Sequence, residues 1–334
     1  MKFSLLIFVF VFHLNANTAL RASTLLETTT QENHMGSVFQ ITAISEDEAL
    51  NQLAIKKAYE EVERIEQLIS EWIESSETSE INRNAGIQPV KVSDELFQLI
   101  YRSNKVSKIT SAAFDISFAS VDHIWKFDGS MTEIPDSATV AASVQFINFN
   151  DVELYHSDGT VFLKNKGMKI GFGAIGKGYA ANRCKQIMLE MGIKSGVVNA
   201  GGDLTCWGTQ KNGAPWTIGI ADPNKKWNAL SYLEISDMAV VTSGNYERFA
   251  IIDGQKFCHI IHPRTGWPVQ HLKSVTIICP DAELADALAT AVYVLGVKNG
   301  LAVIDQLKDV ECFIIDENDQ LFTSKNIELE YLKE

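Results

Sequence analysis

The sequence predicts an α+β fold with mixed, largely antiparallel sheets flanked by helices. Three observations lead there. Apolar residues recur at helical spacing in a few long segments and alternate in many short ones. The short, strand-like segments cluster in hairpin-like runs between helices, instead of alternating one for one with them as a doubly wound sheet requires. At 334 residues, 46% hydrophobic and 21% charged, the chain has the size and balance of a globular protein with one large domain or two ordinary ones.

The N-terminus reads as a processing signal. Lys2 gives a short positive region, residues 3–14 are apolar apart from Ser4 and His13, and small residues follow at Ala16, Ala19 and Ala22. The apolar run is short for a membrane span. Residues 1–22 are therefore expected to be a secretory signal peptide, with a retained anchor as the alternative. The protein is expected to be periplasmic or exported, associated with the inner membrane if the anchor stays. No cysteine sits just after the apolar run, which argues against a lipid anchor. Residues 23–33 are polar and are expected to be a flexible lead-in. Residues 34–334 then form the functional domain.

Residues 35–43 read as a first strand, with Val38 and Ile41 among its strand formers. Residues 46–73 carry Leu50, Leu53, Ala54, Val62, Ile65, Leu68 and Ile69 at helical spacing. The polar stretch 75–84 reads as a loop. A second helix over 94–109 is capped by Ser93 or Asp94. A small-residue segment covers 110–120, and short strands meander over 151–170 with a turn at Ser157-Asp158-Gly159. A helix over 178–191 is followed by a strand at 196–199 and a tight turn at 201–203. Strands follow at 216–220, 230–235 and 238–241, the last running into Thr242-Ser243-Gly244. Residues 259–262 read as a strand that ends in a rigid turn, because Pro263 and Pro268 fix φ and Gly266 permits a left-handed residue. A strand at 275–279, helices at 282–295 and 301–307, and a strand at 312–316 complete the chain.

The formal net charge of −13 argues against nucleic-acid binding through a broad basic surface. An anionic substrate would need a local positive element: a metal, a helix N-terminus, or a few Lys and Arg. The five cysteines form no CxxC pair and no zinc spacing, so buried free thiols are expected.

Several segments could carry chemistry. Asp286 and Thr290 stand four apart on a predicted helix, hence on one face. A carboxylate and a hydroxyl so placed are hard oxygen donors suited to Mg²⁺, given a third donor from elsewhere. Their plainer reading is a capping carboxylate and a packed threonine. Gly171-Phe172-Gly173-Ala174-Ile175-Gly176 matches G-x-G-x-x-G between an apolar segment and a helix. It is either a pyrophosphate-binding loop or a glycine-rich bend, and spacing leaves both open. Lys177 is not followed by Ser or Thr, so the Walker pattern fails. No G-x-S-x-G elbow appears, which disfavours a Ser-His-Asp hydrolase. With only seven histidines in the chain, the pair His259 and His262 stands out.

In order, the chain shows Met35-Gly36-Ser37, Ser79-Glu80-Ile81-Asn82, Ala113-Phe114-Asp115, Gly173-Ala174-Ile175-Gly176-Lys177-Gly178-Tyr179-Ala180, Gly201-Gly202-Asp203, Thr242-Ser243-Gly244, His259-Ile260-Ile261-His262-Pro263-Arg264-Thr265-Gly266-Trp267-Pro268 and Ala285-Asp286-Ala287-Leu288-Ala289-Thr290. In this ordered set it resembles the ApbE family of FAD:protein FMN transferases, over nearly the whole mature chain. The resemblance implies a Mg²⁺-dependent enzyme that splits FAD, passes FMN to a Thr or Ser hydroxyl of an acceptor protein as a phosphoester, and releases AMP. It implies acceptors such as membrane redox-pump subunits or exported reductases. The alternatives it leaves are a FAD pyrophosphatase giving FMN and AMP, and a non-catalytic flavin-binding protein.

Carried over residue by residue, the resemblance makes Asp286 and Thr290 side-chain ligands of Mg²⁺ and Ala174 a backbone-carbonyl ligand. Ala289 falls at a further ligand position, where it offers only its backbone. Met35, Trp72, Ala113, Phe114, Asp115, Gly171, Lys177 and Ile261 fall at FAD-contact positions. His259 is the expected general base. The chain departs from the family pattern at three places. Gly171 stands where Asp is usual, so one polar contact is expected to be absent or moved. Trp72 stands where Tyr is common. His262 replaces Asp or Asn, either inertly or as a second group in proton traffic beside His259.

Overall fold

Residues 24–121 and 124–327 are described by a computed structural model, the side chains of 225–230 excepted. The expected signal peptide lies outside the described residues. The chain runs β1 (Leu26–His34), β2 (Ser37–Ser45), α1 (Glu48–Ile69), α2 (Glu77–Arg83), β3 (Val90–Lys91), α3 (Asp94–Ile109), α4 (Ser137–Ala142), β4 (Val152–Tyr155), β5 (Thr160–Leu163), α5 (Gly176–Glu190), β6 (Ser195–Ala200), β7 (Asp203–Trp207), β8 (Trp216–Asp222), β9 (Lys225–Ile235), β10 (Ala239–Gly244), β11 (Phe249–Ile252), β12 (Gln255–Cys258), β13 (Leu272–Cys279), α6 (Ala282–Ile304), β14 (Glu311–Asp316) and β15 (Leu321–Thr323). The fold class is the expected α+β.

Eight strands form the central sheet in the order β1-β2-β6-β7-β10-β13-β14-β15, and each pairing in it is antiparallel. Strand periodicity sorts its side chains onto two faces. Ala239 and Val241 of β10, Ile277 of β13, and Cys312 and Ile314 of β14 join the main core under α1, α5 and α6. Their neighbours Val240, Ile278 and Phe313 point the other way, against Ile220 of the β8–β9 hairpin. Each strand is thus apolar on both faces because both faces are covered. All five cysteines are free and buried, as expected.

Three segments differ from the sequence reading. The expected flexible lead-in is an edge strand, β1, which pairs with β2 over nine residues. Its polarity reflects an edge exposed to water, and Thr28, Thr29 and Thr30 supply the β-branched residues that hold it extended. The polar stretch read as a loop contains α2, capped by the Ser76 hydroxyl, which accepts from the Ser79 N–H. Seven residues are too few to reveal a helical period, but acids in its first turn and Arg83 in its last complement the helix dipole. The segment at 259–262 is not a regular strand. Ile261 makes one bridge to Pro268, and the turn closes through Gly266, at φ 74°. The prolines have no N–H with which to extend a ladder.

Helix α6 positions the site. Among the described residues it is the one helix long and apolar enough to cross a membrane, yet it packs on β10 and β13 and against α5 and α3. Apolar residues on every side are what a core helix needs. Gly296, at φ 74° and ψ 178°, breaks it into the two legs that the sequence shows. Helix α5 crosses α6 at Gly178. A Cβ there would lie 2.1 Å from the Ala282 carbonyl oxygen and 2.8 Å from the Asp286 Cβ. Gly178→Ala is therefore expected to force the helices apart and cost about 1–3 kcal/mol, read as a fall in thermal melting temperature. An unchanged melt would mean that the crossing is looser than this geometry.

Candidate functional site

A cavity of about 300 Å³ opens where the loop after α3, the glycine loop before α5, the turn after β12 and α6 converge. Ala113, Phe114 and Asp115 line it from the first, Gly171, Gly173 and Ala174 from the second, His259, Ile260, Ile261 and Pro263 from the third, and Thr290 and Val294 from the fourth. Seven of the expected site residues other than Thr290 therefore meet in one place, although they come from three separated stretches of chain.

The other expected residues stand around it. Trp72 is 77% exposed and lines a neighbouring hollow that shares Glu71 and Ala119 with the cavity, so its indole sits at the rim. Met35, at φ 49°, gives its backbone N–H to Glu66 Oε1 at 3.1 Å, and its side-chain end lies beside Gly176, behind the glycine loop. Ala289 is wholly buried inside α6, away from the cavity wall, and brings no side-chain donor.

Helix α5 begins without a side-chain cap at Ile175; the Phe172 carbonyl accepts from the Gly176 N–H at 2.7 Å, and the donors that follow look to other acceptors. Asp286, 4% exposed, takes one of them: its Oδ2 accepts from the Gly178 N–H at 3.1 Å. A carboxylate at a helix N-terminus is favoured by the dipole as well as the bond. Lys177, in the same first turn, gives its ammonium to Asp203 Oδ2. Burial works against the charged lysine, but Asp286 and Asp203 outweigh it and push its pKa up. Lys177, Asp203 and Asp286 do not line the cavity; the start of α5, which follows its glycine loop, carries an ammonium, a helix N-terminus and buried carboxylates, a setting for phosphate and a divalent cation. The sequence shows Asp203 in a glycine turn but gives no sign that it holds Lys177, because the two are brought together only by the sheet.

No group of three or more His, Cys, Asp or Glu side chains suited to a metal occurs among the described residues. The donors at hand are the Asp286 carboxylate, the Thr290 hydroxyl one turn on and the Ala174 carbonyl. These are oxygen donors only, and few, which fits Mg²⁺ because that ion keeps waters and shares substrate phosphates.

His259 is partly buried. Its Nδ1 lies 3.2 Å from the Arg248 carbonyl, which only accepts, so Nδ1 carries the proton and Nε2 keeps its lone pair. Burial holds the imidazole below the ordinary histidine range; the Arg248 carbonyl bond opposes this, and the charges of Arg248 and Lys177 add to it. A neutral, oriented imidazole results. His262 has a different task. Its Nδ1 accepts from the Arg264 N–H at 3.1 Å, the bond to the residue two on that an Asp or Asn would make in a turn. It faces a separate hollow, so this departure preserves the turn and stays out of the cavity.

Asp115 is committed structurally. Its Oδ1 accepts from the N–H and hydroxyl of Ser117 at 2.8 and 2.6 Å, and its Oδ2 from the Phe149 N–H at 2.8 Å. It caps the 3-10 turn Ile116–Ser120 and so shapes the wall. Burial pushes its carboxyl pKa up, against those bonds.

The profile of the ApbE family matches residues 35–314. A FAD:protein FMN transferase of Klebsiella pneumoniae is 32% identical over 292 residues, covering 87% of this chain and 89% of that protein. One of Salmonella typhimurium is 27% identical over 310 residues, covering 89% and 87%. Among solved structures, an ApbE protein of Thermotoga maritima superposes with a TM-score of 0.83 at 29% identity, over 90% of this chain and 97% of that one. The flavin transferase ApbE of Vibrio cholerae shares the fold, with a TM-score of 0.80 at 22% identity and coverage of 90% and 97%.

Proposed function

The chain belongs to the ApbE family, and from that premise we propose that it is a FAD:protein FMN transferase. The relatives named for that activity support the reading. The observation that carries it is that His259, Thr290 and Ala174 line one cavity, with Asp286 one turn of α6 from Thr290.

The reaction moves FMN from FAD to a Thr or Ser hydroxyl of an acceptor protein. The hydroxyl oxygen attacks the phosphorus on the FMN side, the P–O bond to the AMP half breaks, and AMP leaves with the bonding electrons. His259 Nε2 takes the hydroxyl proton as the new P–O bond forms. The Lys177 ammonium and the positive end of the α5 dipole hold the pyrophosphate in line. Mg²⁺ on Asp286, Thr290 and the Ala174 carbonyl would neutralise charge on the phosphoryl oxygens. The apolar wall of Phe114, Ile260 and Ile261 takes ring surface, and Trp72 offers an indole face at the rim. Export to the periplasm belongs to the same reading and rests on residues 3–22; a membrane redox-pump subunit or exported reductase is the acceptor in view.

The test is to mix the mature protein with FAD, Mg²⁺ and an acceptor domain carrying a flavinylation threonine, then weigh the acceptor and assay AMP. FMN mass on the acceptor with matching AMP is expected. AMP and free FMN with an unmodified acceptor would make the enzyme a pyrophosphatase, and no AMP would leave a flavin-binding protein.

A further inference from the structure

Gly171 leaves a gap in the cavity wall that another residue fills. A Cβ built on Gly171 would lie 2.8 Å from Glu71 Oε1 and 2.9 Å from its Cδ. The Glu71 carboxylate therefore occupies the side-chain space at position 171 and lines the same cavity. Its backbone is tied down: Ser79 Oγ donates to the Glu71 carbonyl at 3.2 Å and Ser76 Oγ to the Ser70 carbonyl at 2.6 Å. The wall beneath is fixed too, because the Gly171 N–H donates to the Ile116 carbonyl at 2.9 Å.

We infer that Glu71 is a substrate-orienting residue, supplying from the loop after α1 the carboxylate that position 171 lacks. This rests on the reading of FAD as substrate. A carboxylate accepts strongly from N–H and O–H donors and repels phosphate. Phe118, Ala119 and Val121, which line the same cavity, are apolar, so Glu71 adds a carboxylate to a wall that suits a ring system. The positive features, Lys177 and the start of α5, lie outside the residues that line the cavity, beyond Ala174 of the glycine loop. A dinucleotide thus sets the donor edge of one of its rings against Glu71 and its pyrophosphate toward α5. Flavin and adenine both carry such an edge.

The experiment measures the Kd of FAD, FMN and AMP by fluorescence or calorimetry for the wild type, Glu71→Ala, Gly171→Asp and the double variant, with melts of the unliganded proteins as a control. Glu71→Ala is expected to weaken FAD about tenfold or more without moving the melt. The weakening should recur with FMN or with AMP, whichever half carries the contacted ring. Gly171→Asp alone should weaken FAD as well, because its carboxylate meets that of Glu71. The double variant should regain most of the loss, since the acceptor returns from the other side of the gap. Wild-type affinity in Glu71→Ala, or a double variant no better than either single one, would overturn the assignment. A wild type that binds no FAD would instead overturn the functional reading on which it stands.

Discussion

Asp286→Ala is expected to abolish Mg²⁺-dependent turnover, a loss of about a hundredfold or more in kcat/KM. The reasoning is electrostatic. Of the three oxygen donors assigned to the metal, Asp286 alone carries a charge; Thr290 and the Ala174 carbonyl are dipoles. Asp286 also has a structural bond, since its Oδ2 accepts from the Gly178 N–H at the start of α5. Alanine leaves that buried donor unpaired, at a cost of about 1–3 kcal/mol, so its effect mixes folding with catalysis. Asp286→Asn separates them. The amide oxygen still accepts from Gly178 while the charge is gone. The expected result is a near wild-type melt for Asn, a lowered melt for Ala, and loss of Mg²⁺ response in both. Wild-type Mg²⁺ dependence in the Asn variant would remove Asp286 from the metal site and leave it as a helix-anchoring residue.

The same residue shows what was legible in the chain. Asp286 and Thr290 could be paired from spacing because a helix sets residues four apart on one face, and that rule is local. The long helices, the Ser93 cap and the glycine loop were readable for the same reason. Helix α2 was not, because seven residues with one apolar side chain, Ile81, carry no period. Nor was β1, because an edge strand exposed to water has the composition of a loop. Within the site, the contacts that escaped are those made by the sheet and by loop packing. The Asp286 bond to Gly178 spans 108 residues and that of Lys177 to Asp203 spans 26. The approach of Glu71 to Gly171 is of this kind, and neither residue type announces it. His262 is instructive in the other direction. It departs from the family pattern in chemistry, yet its ring nitrogen makes the turn bond a carboxamide would make. The turn needs an acceptor two residues before Arg264, and the imidazole nitrogen supplies it.

His259 gives the second large effect. Its Nδ1 proton is committed to the Arg248 carbonyl, so removing the imidazole takes away one positioned base and no backbone bond of the wall. The ring's T-shaped contact with Phe127, centroids 6.5 Å apart, is the packing at risk. His259→Ala is expected to slow transfer by about 10²–10⁴-fold while FAD still binds, because Lys177, the start of α5 and the apolar wall are untouched. Its pH dependence follows from the direction of the pKa shift. Burial disfavours the imidazolium, so the folded pKa lies below the ordinary histidine value of 6.5. The imidazole is then more fully neutral near pH 7 than a free histidine, and activity is expected to fall as pH drops through the depressed value. In the wild type, kcat/KM should be flat near neutrality and fall on an acid limb set below the usual histidine range. In His259→Ala that limb should vanish, leaving a low rate that rises with hydroxide. An acid limb that survives the substitution would assign the titration to another group. Loss of FAD binding in the variant would make His259 part of the substrate pocket instead of its base.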